Sequence, residues 1–410
     1  MTRRIALPLL LSLAACGGTT TMVPPPDGAT GDAPAADAAP PDGAAPDAAL
    51  DVTAPDATAP DDVAPAEDVA PDGPAFNPWT PDAAPVTAPI ETPVDAWTWV
   101  PFPDSACGNG APTGIGVNRS TRSNRILMFL MGGGGCWDGL TCYLLNTAAN
   151  LSSGYGESNF RSESAGLNSV FIFNRADMRN PFRDATFVFV PYCTGDIHGG
   201  NNVATHTVGG QSRTTYHVGA RNMESFLARL SRSFPMADRV WLMGSSAGGY
   251  GAGIHWDRVA RAFPMARVDL LDDSGPPIAP PAARYGQMKA AWNLQFPSGC
   301  ARCADDLAAL IPYYRTRFPP PNRMGLLSYT QDRTISTYFG LTGEQFETSL
   351  NDLLRTAFDP APNFRYFVVT GNNHTMVGGF DTLRGPGGAS LLDWVTAWAN
   401  DGSPWANVHP

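Results

Sequence analysis

The sequence predicts an α/β chain in which a mostly parallel central sheet is flanked by helices, and three observations carry that prediction. Short apolar runs suited to buried strands recur through residues 97–410 and end in Gly-, Ser- or Asn-rich turns. Segments with apolar residues at helical spacing stand between them. The residue types able to do chemistry fall just after the runs, at the edge where a parallel sheet gathers its loops.

Residues 125–131 (RILMFLM) form the first such run and end in Gly132-Gly133-Gly134-Gly135. A loop of this kind can present bare N–H groups, and Cys136 stands ready to staple it. Met223, Phe226, Leu227, Leu230 and Phe234 repeat at helical spacing and mark a core-facing helix before the next run. Residues 239–243 (RVWLM) lead into Gly244-Ser245-Ser246-Ala247-Gly248-Gly249, and residues 250–263 can be helical. Strand, sharp turn and helix around Gly-x-Ser-x-Gly give the elbow that raises a serine hydroxyl above a sheet, which makes Ser246 the expected nucleophile. A run at 268–271 ends in Asp272-Asp273-Ser274-Gly275, and a run at 325–330 ends in Gln331-Asp332. Either aspartate stands where a carboxylate can orient a histidine. Asp332 is the expected one because the later strand is the commoner donor in the Ser, Asp, His order, and Asp273 is its rival. Residues 364–370 alternate as a strand and lead through Gly371-Asn372-Asn373 to His374, before a closing helix over 391–399. His374 is thus the expected general base.

These pieces in chain order predict an α/β-hydrolase-like fold and acyl transfer to water. Ser246 would attack, His374 take its proton and Asp332 fix the imidazole. The N–H groups of Ala247 and of Gly134 or Gly135 would hold the oxyanion. Trp137, Asp196 and His198 are candidate substrate contacts on neighbouring loops. No His pair has ligand spacing and no acidic cluster resembles a calcium loop, so neither metal nor cofactor is expected.

The 410 residues carry 27 basic and 38 acidic side chains, a net charge of −11, and the imbalance is local. Residues 22–96 hold 15 acidic and no basic side chains, whereas residues 97–410 hold 25 basic and 23 acidic, a net of +2. Neither part offers the basic stripe that nucleic acid requires. Arg3 and Arg4 followed by an apolar stretch read as an export signal over residues 1–16. Its Leu13-Ala14-Ala15-Cys16-Gly17 end resembles the bacterial lipobox, which implies lipidation of Cys16, attachment to the outer membrane or cell surface, and removal of the signal. Residues 17–96, with 17 prolines and regularly spaced aspartates, are expected to be a disordered tether with a reach on the order of 50 Å. Residues 97–410 are expected to form the catalytic domain, acting as a monomer. Its six cysteines, Cys107, Cys136, Cys142, Cys193, Cys300 and Cys303, suit three disulfides in an oxidising compartment. Cys136 with Cys142 and Cys300 with Cys303 are the local pairings to expect; the full connectivity is not readable from the sequence.

Several segments taken together resemble the pectin acetylesterases and their animal relative Notum: Gly132-Gly133-Gly134-Gly135-Cys136-Trp137, Asn180-Pro181-Phe182, the stretch from Val190 to Asp196, Gly244-Ser245-Ser246-Ala247-Gly248-Gly249, Asp273-Ser274-Gly275 and Asn373-His374-Thr375. The resemblance spans about residues 97–400 and implies an α/β-hydrolase fold with the second serine of the elbow, Ser246, as nucleophile. It further implies carboxylesterase action on acetylated cell-wall polysaccharide such as pectin or, in the Notum branch, removal of a fatty acyl group from protein. The plant and animal members place Trp before Cys in the glycine segment, whereas this chain reads Cys136-Trp137, so Gly134 and Gly135 both stand as oxyanion donors. A lipase or polyester hydrolase with the same triad is the second enzyme reading. A non-catalytic glycan-binding lipoprotein using aromatics such as Trp137 and Trp292 is the reading from another class.

Overall fold

The computed structural model describes residues 75–410; the expected export signal, Cys16 and most of the expected tether lie outside these residues. Among the described residues ten strands form: β1 (Trp97–Phe102), β2 (Thr113–Asn118), β3 (Arg125–Leu130), β4 (Thr186–Val190), β5 (Asn202–Val208), β6 (Gln211–His217), β7 (Arg239–Ser245), β8 (Arg267–Asp273), β9 (Met324–Tyr329) and β10 (Phe364–Val369). Eight of them make one sheet in the order β1-β2-β4-β3-β7-β8-β9-β10. The six from β4 to β10 run parallel, and β2 and β1 close one edge antiparallel. β5 and β6 form a separate hairpin whose two-residue turn, Gly209-Gly210, holds φ of 58° and 78°, the double left-handed geometry that only glycine adopts freely.

The parallel strands are buried on both faces, as their apolar runs require. Ile126, Met128 and Leu130 of β3 and Val240 and Leu242 of β7 enter one core, while Leu127, Phe129, Trp241 and Met243 enter the other. Helices α2 (Gly219–Ser233), α3 (Ala247–Ala262), α4 (Ala282–Trp292), α5 (Leu310–Arg317), α6 (Arg333–Phe339) and α7 (Gly343–Leu353) contribute to the first core. The second core takes side chains from α1 (Glu157–Leu167) and α8 (Leu391–Ala399). Helices on both faces of a mostly parallel sheet give the α/β-hydrolase-like architecture expected from the sequence. Among the described residues no helix is long and apolar enough to cross a membrane.

Strand order reverses beside β3: the chain passes from β3 to β4 on one side, then reaches β7 on the other. The carboxyl ends of β3 and β7 flank the crevice made by such a reversal. At the opposite end, Arg239 on β7 and Arg267 on β8 share the fully buried Asp269 carboxylate at 2.6 and 2.9 Å.

The expected tether boundary at Ala96 needs correction. Asn77 donates its N–H to Asn202 Oδ1 and accepts the N–H of Val203, while Ile90 is buried and donates to Ser233 Oγ. Asp95 pairs with Arg122 at 2.5 Å. Acidic and Pro-rich composition conceals these contacts because backbone groups make most of them.

Three disulfides form: Cys107–Cys193, Cys136–Cys142 and Cys300–Cys303, with sequence separations of 86, 6 and 3. A cross-link stabilises mainly by restricting the unfolded chain, and more so for a longer loop. Replacing Cys107 and Cys193 by Ser is therefore expected to cost about 4.6 kcal/mol in urea unfolding, against about 1.6 kcal/mol for the Cys300 and Cys303 pair.

Candidate active site

Ser246 lies where β7 ends and α3 begins, with φ 59° and ψ −123°, a strained geometry for a residue with a side chain, costing about 1–3 kcal/mol. The flanking glycines make the turn possible. A Cβ on Gly244 would sit 2.0 Å from the Gly248 carbonyl oxygen, and one on Gly248 would sit 2.0 Å from that of Leu130. The N–H of Ala247, first residue of α3, belongs to the helix-end donors that have no intrahelical acceptor.

β9 leads to Asp332, which caps α6 by accepting the Ile335 N–H at 3.0 Å on Oδ1. Its other oxygen, Oδ2, lies 2.7 Å from His374 Nδ1, and the carboxylate is fully buried. With Nδ1–H donating to the carboxylate, Nε2 carries the lone pair. Nε2 is buried and has no hydrogen-bond partner among the described residues. Asp273 is not the histidine's partner: its carboxylate takes the Ser245 hydroxyl and the N–H groups of Met376 and Val377.

The glycine loop after β3 faces the same space. Gly134, Gly135, Ser246 and Ala247 line one pocket together. The carbonyls of Gly133 and Gly135 are engaged by Ala149 N–H and Thr147 Oγ1, and Cys136 is held by its disulfide and by the Gly195 carbonyl. Tyr338 on α6 bonds the Thr147 carbonyl, so the helix capped by Asp332 also braces this loop. The pocket encloses a cavity of about 40 Å³. Trp137, Tyr285, Met288, Trp292, Leu307 and Phe339 give it an apolar wall.

The three expected substrate contacts separate. Trp137 is in the pocket wall, but Asp196 and His198 are not. Asp196 is fully buried, and its carboxylate takes the Thr194 hydroxyl and the N–H groups of Gly200 and Gly219, fastening its loop to the start of α2. Burial pushes its carboxyl up from the ordinary range, against those hydrogen bonds. The His198 ring packs on Tyr192 and pairs through Nε2 with the Met131 carbonyl at 2.8 Å, just before the glycine loop. Both side chains are corrected here from substrate contacts to internal supports: their polar atoms are used within the protein. Sequence reasoning passed over Tyr285, Met288 and Tyr338. The helices that carry them show no clear apolar stripe next to a motif, and only the fold brings them to Ser246.

Among the described residues, Cys136, Cys142 and His217 are a group with metal-ligand atoms within 4.8 Å of one another. The two sulfurs are joined as a disulfide, which leaves no thiolate pair for an ion.

Residues 100–287 match the sequence profile of the family described as Pectinacetylesterase. The chain is also similar to palmitoleoyl-protein carboxylesterase NOTUM of Homo sapiens, 30% identical over 177 residues, covering 41% of this chain and 34% of that protein. Its likeness to the Schmidtea mediterranea protein of the same description is 28% over 207 residues, covering 48% and 35%. The chain thus spans about a third of the length of the curated relatives it matches. The matched profile includes the glycine loop, the elbow and Asp273; Asp332 and His374 lie beyond it.

Burial also sets a pH response. It pushes the His198 ring down to about 4 from an ordinary 6.5, so between these values the unfolded chain binds a proton that the folded chain does not. Stability from this residue is present above pH 6.5 and is lost as pH falls toward 4. Substituting His198→Gln is expected to flatten the pH dependence of urea unfolding in that window, by up to roughly 1.4 kcal/mol per pH unit.

The match over residues 100–287 and the likeness to Notum proteins together make this chain similar to the pectin acetylesterases and Notum proteins.

Proposed function

We propose that the protein is a serine carboxylic ester hydrolase with Ser246, His374 and Asp332 as its triad. The observation that carries this reading is His374: its Nδ1 is on the buried Asp332 carboxylate and its Nε2 is buried without a partner among the described residues. Ser246 Oγ attacks the ester carbonyl as Nε2 takes its proton, and Asp332 stabilises the imidazolium and fixes the tautomer. The N–H groups of Ala247 and of Gly134 or Gly135 bind the oxyanion, an interaction worth about 10²–10³ in rate per donor. Collapse of the tetrahedral intermediate transfers the proton to the departing alcohol and leaves an acyl-serine. Water, deprotonated by His374, then releases the acid and restores the serine.

The family description supports O-acetyl groups on cell-wall polysaccharide such as pectin as substrate. One observation favours a second reading. The pocket beside Ser246 has apolar walls of Trp137, Tyr285, Met288, Trp292 and Phe339, and curated relatives are described as palmitoleoyl-protein carboxylesterases. An apolar acyl chain longer than acetyl would bury its methylenes there at about 0.8 kcal/mol each. An exported enzyme, lipid-anchored through Cys16, agrees with three disulfides and with the leader-like start of the sequence.

Hydrolysis of p-nitrophenyl esters from acetyl to palmitoyl, beside acetate release from acetylated pectin and xylan, tests both readings. The wild type is expected to hydrolyse these esters, with Ser246→Ala inactive and Asp332→Asn reduced about 10⁴-fold. An optimum at acetyl with release from pectin supports polysaccharide deacetylation, and an optimum at longer chains supports the second reading. No hydrolysis and no labelling by a fluorophosphonate would remove the esterase reading.

A further inference from the structure

Ser246 after β7, Ser274 after β8 and Thr375 after β10 hold left-handed backbone, at φ 59°, 63° and 62°. One side chain connects all three segments. The Asp273 carboxylate accepts the Ser245 hydroxyl at 2.7 Å, the Met376 N–H at 2.8 and 3.0 Å, the Val377 N–H at 3.0 Å and the Ser274 hydroxyl at 3.2 Å. Its carbonyl accepts the N–H of Ser246 at 2.7 Å. Ser274 Oγ in turn accepts the Thr375 N–H at 3.1 Å. Asp273 is 1% exposed, so water cannot replace these partners.

We infer that Asp273 is a positioning residue that locks the serine turn and the histidine loop into one rigid unit, fixing the distance over which the proton passes. The inference rests on the reading of Ser246 and His374 as the reacting groups. Main-chain N–H groups and hydroxyls surround the carboxylate, a set that an anion satisfies and a carboxamide cannot. An Asn here would turn its NH₂ against at least one of those N–H groups. Burial pushes the acid's pKa up, while the hydrogen bonds from Ser245, Met376 and Val377 oppose that rise. Aligned groups lose rate steeply when their separation drifts, whereas the pocket that binds the acyl group is walled by other residues. Loss of Asp273 therefore acts on turnover and leaves binding largely alone.

The test compares full-length wild type with Asp273→Asn on p-nitrophenyl butyrate, together with fluorophosphonate labelling and urea unfolding. The variant is expected to fold with a lowered unfolding midpoint and to keep KM within about twofold, while kcat and the labelling rate both fall about a hundredfold. A folded variant with kcat within about threefold of wild type overturns the proposal, as does a fall in kcat matched by a rise in KM. Should Asp273→Asn fail to fold, Ser245→Ala decides by removing one of the bonds. A drop in kcat of about tenfold at unchanged KM supports the lock, and unchanged kcat overturns it. Failure of the underlying reading looks different: wild type resists the fluorophosphonate and Ser246→Ala stays active, which removes the lock as well.

Discussion

The sharp turn at Ser246 is the constraint on which the rest of the molecule depends. A serine at φ 59° is unstable in isolation and persists only where its surroundings allow no alternative. Those surroundings are the close approach of α3 to the end of β3, which Gly248 permits, and the fold of the turn back on itself, which Gly244 permits. The same approach brings the helix start, with its unpaired N–H groups, beside the glycine loop that follows β3. One steric arrangement therefore exposes the hydroxyl, aims the helix end and builds the crevice between β3 and β7.

A second economy lies in α6. Only Arg333–Phe339 long, it is capped by the carboxylate that holds His374, and its last turn carries Tyr338, which braces the glycine loop through Thr147. Its Ile335 and Phe339 line the pocket beside Ser246. The Asp332 carboxylate, the pocket wall and the glycine loop are thereby fixed to one another by a short segment. Such coupling suits a site whose groups must keep their geometry to within a fraction of an ångström.

Much of this was legible in the chain, for physical reasons that differ by element. Strands β3, β7 and β9 are buried on both faces and read as apolar runs, β10 alternates around Arg365, and Ser246, Asp332 and His374 follow directly from where those segments stop. β2 was not visible because Thr-Gly-Ile-Gly-Val-Asn owes its burial to neighbours, with Gly116 lying against the Phe160 ring. The β5–β6 hairpin was passed over although alternation and Gly209-Gly210 announce it. Asp196 and His198 looked like substrate contacts because a polar residue in a Gly-rich loop gives no hint of which backbone groups it will meet. Asp273 was read as a rival to Asp332, since sequence places both carboxylates at strand ends and only the fold separates the one that meets the ring from the one that meets the N–H groups.

The partition of charge fits the same account. The acidic surplus belongs to residues 22–96, and the remainder is nearly neutral. What the account claims most centrally is that Ser246 and the two sets of backbone N–H groups beside it form one reacting centre. A crystal structure of the protein after reaction with a fluorophosphonate tests this most directly. The account predicts a single phosphonyl group on Ser246 Oγ, its oxygen within hydrogen-bond distance of the Ala247 N–H and of a glycine N–H at Gly134 or Gly135, and His374 Nε2 facing the modified serine. An adduct on Ser245 or another residue, or an oxygen pointing away from both backbone segments, would contradict it.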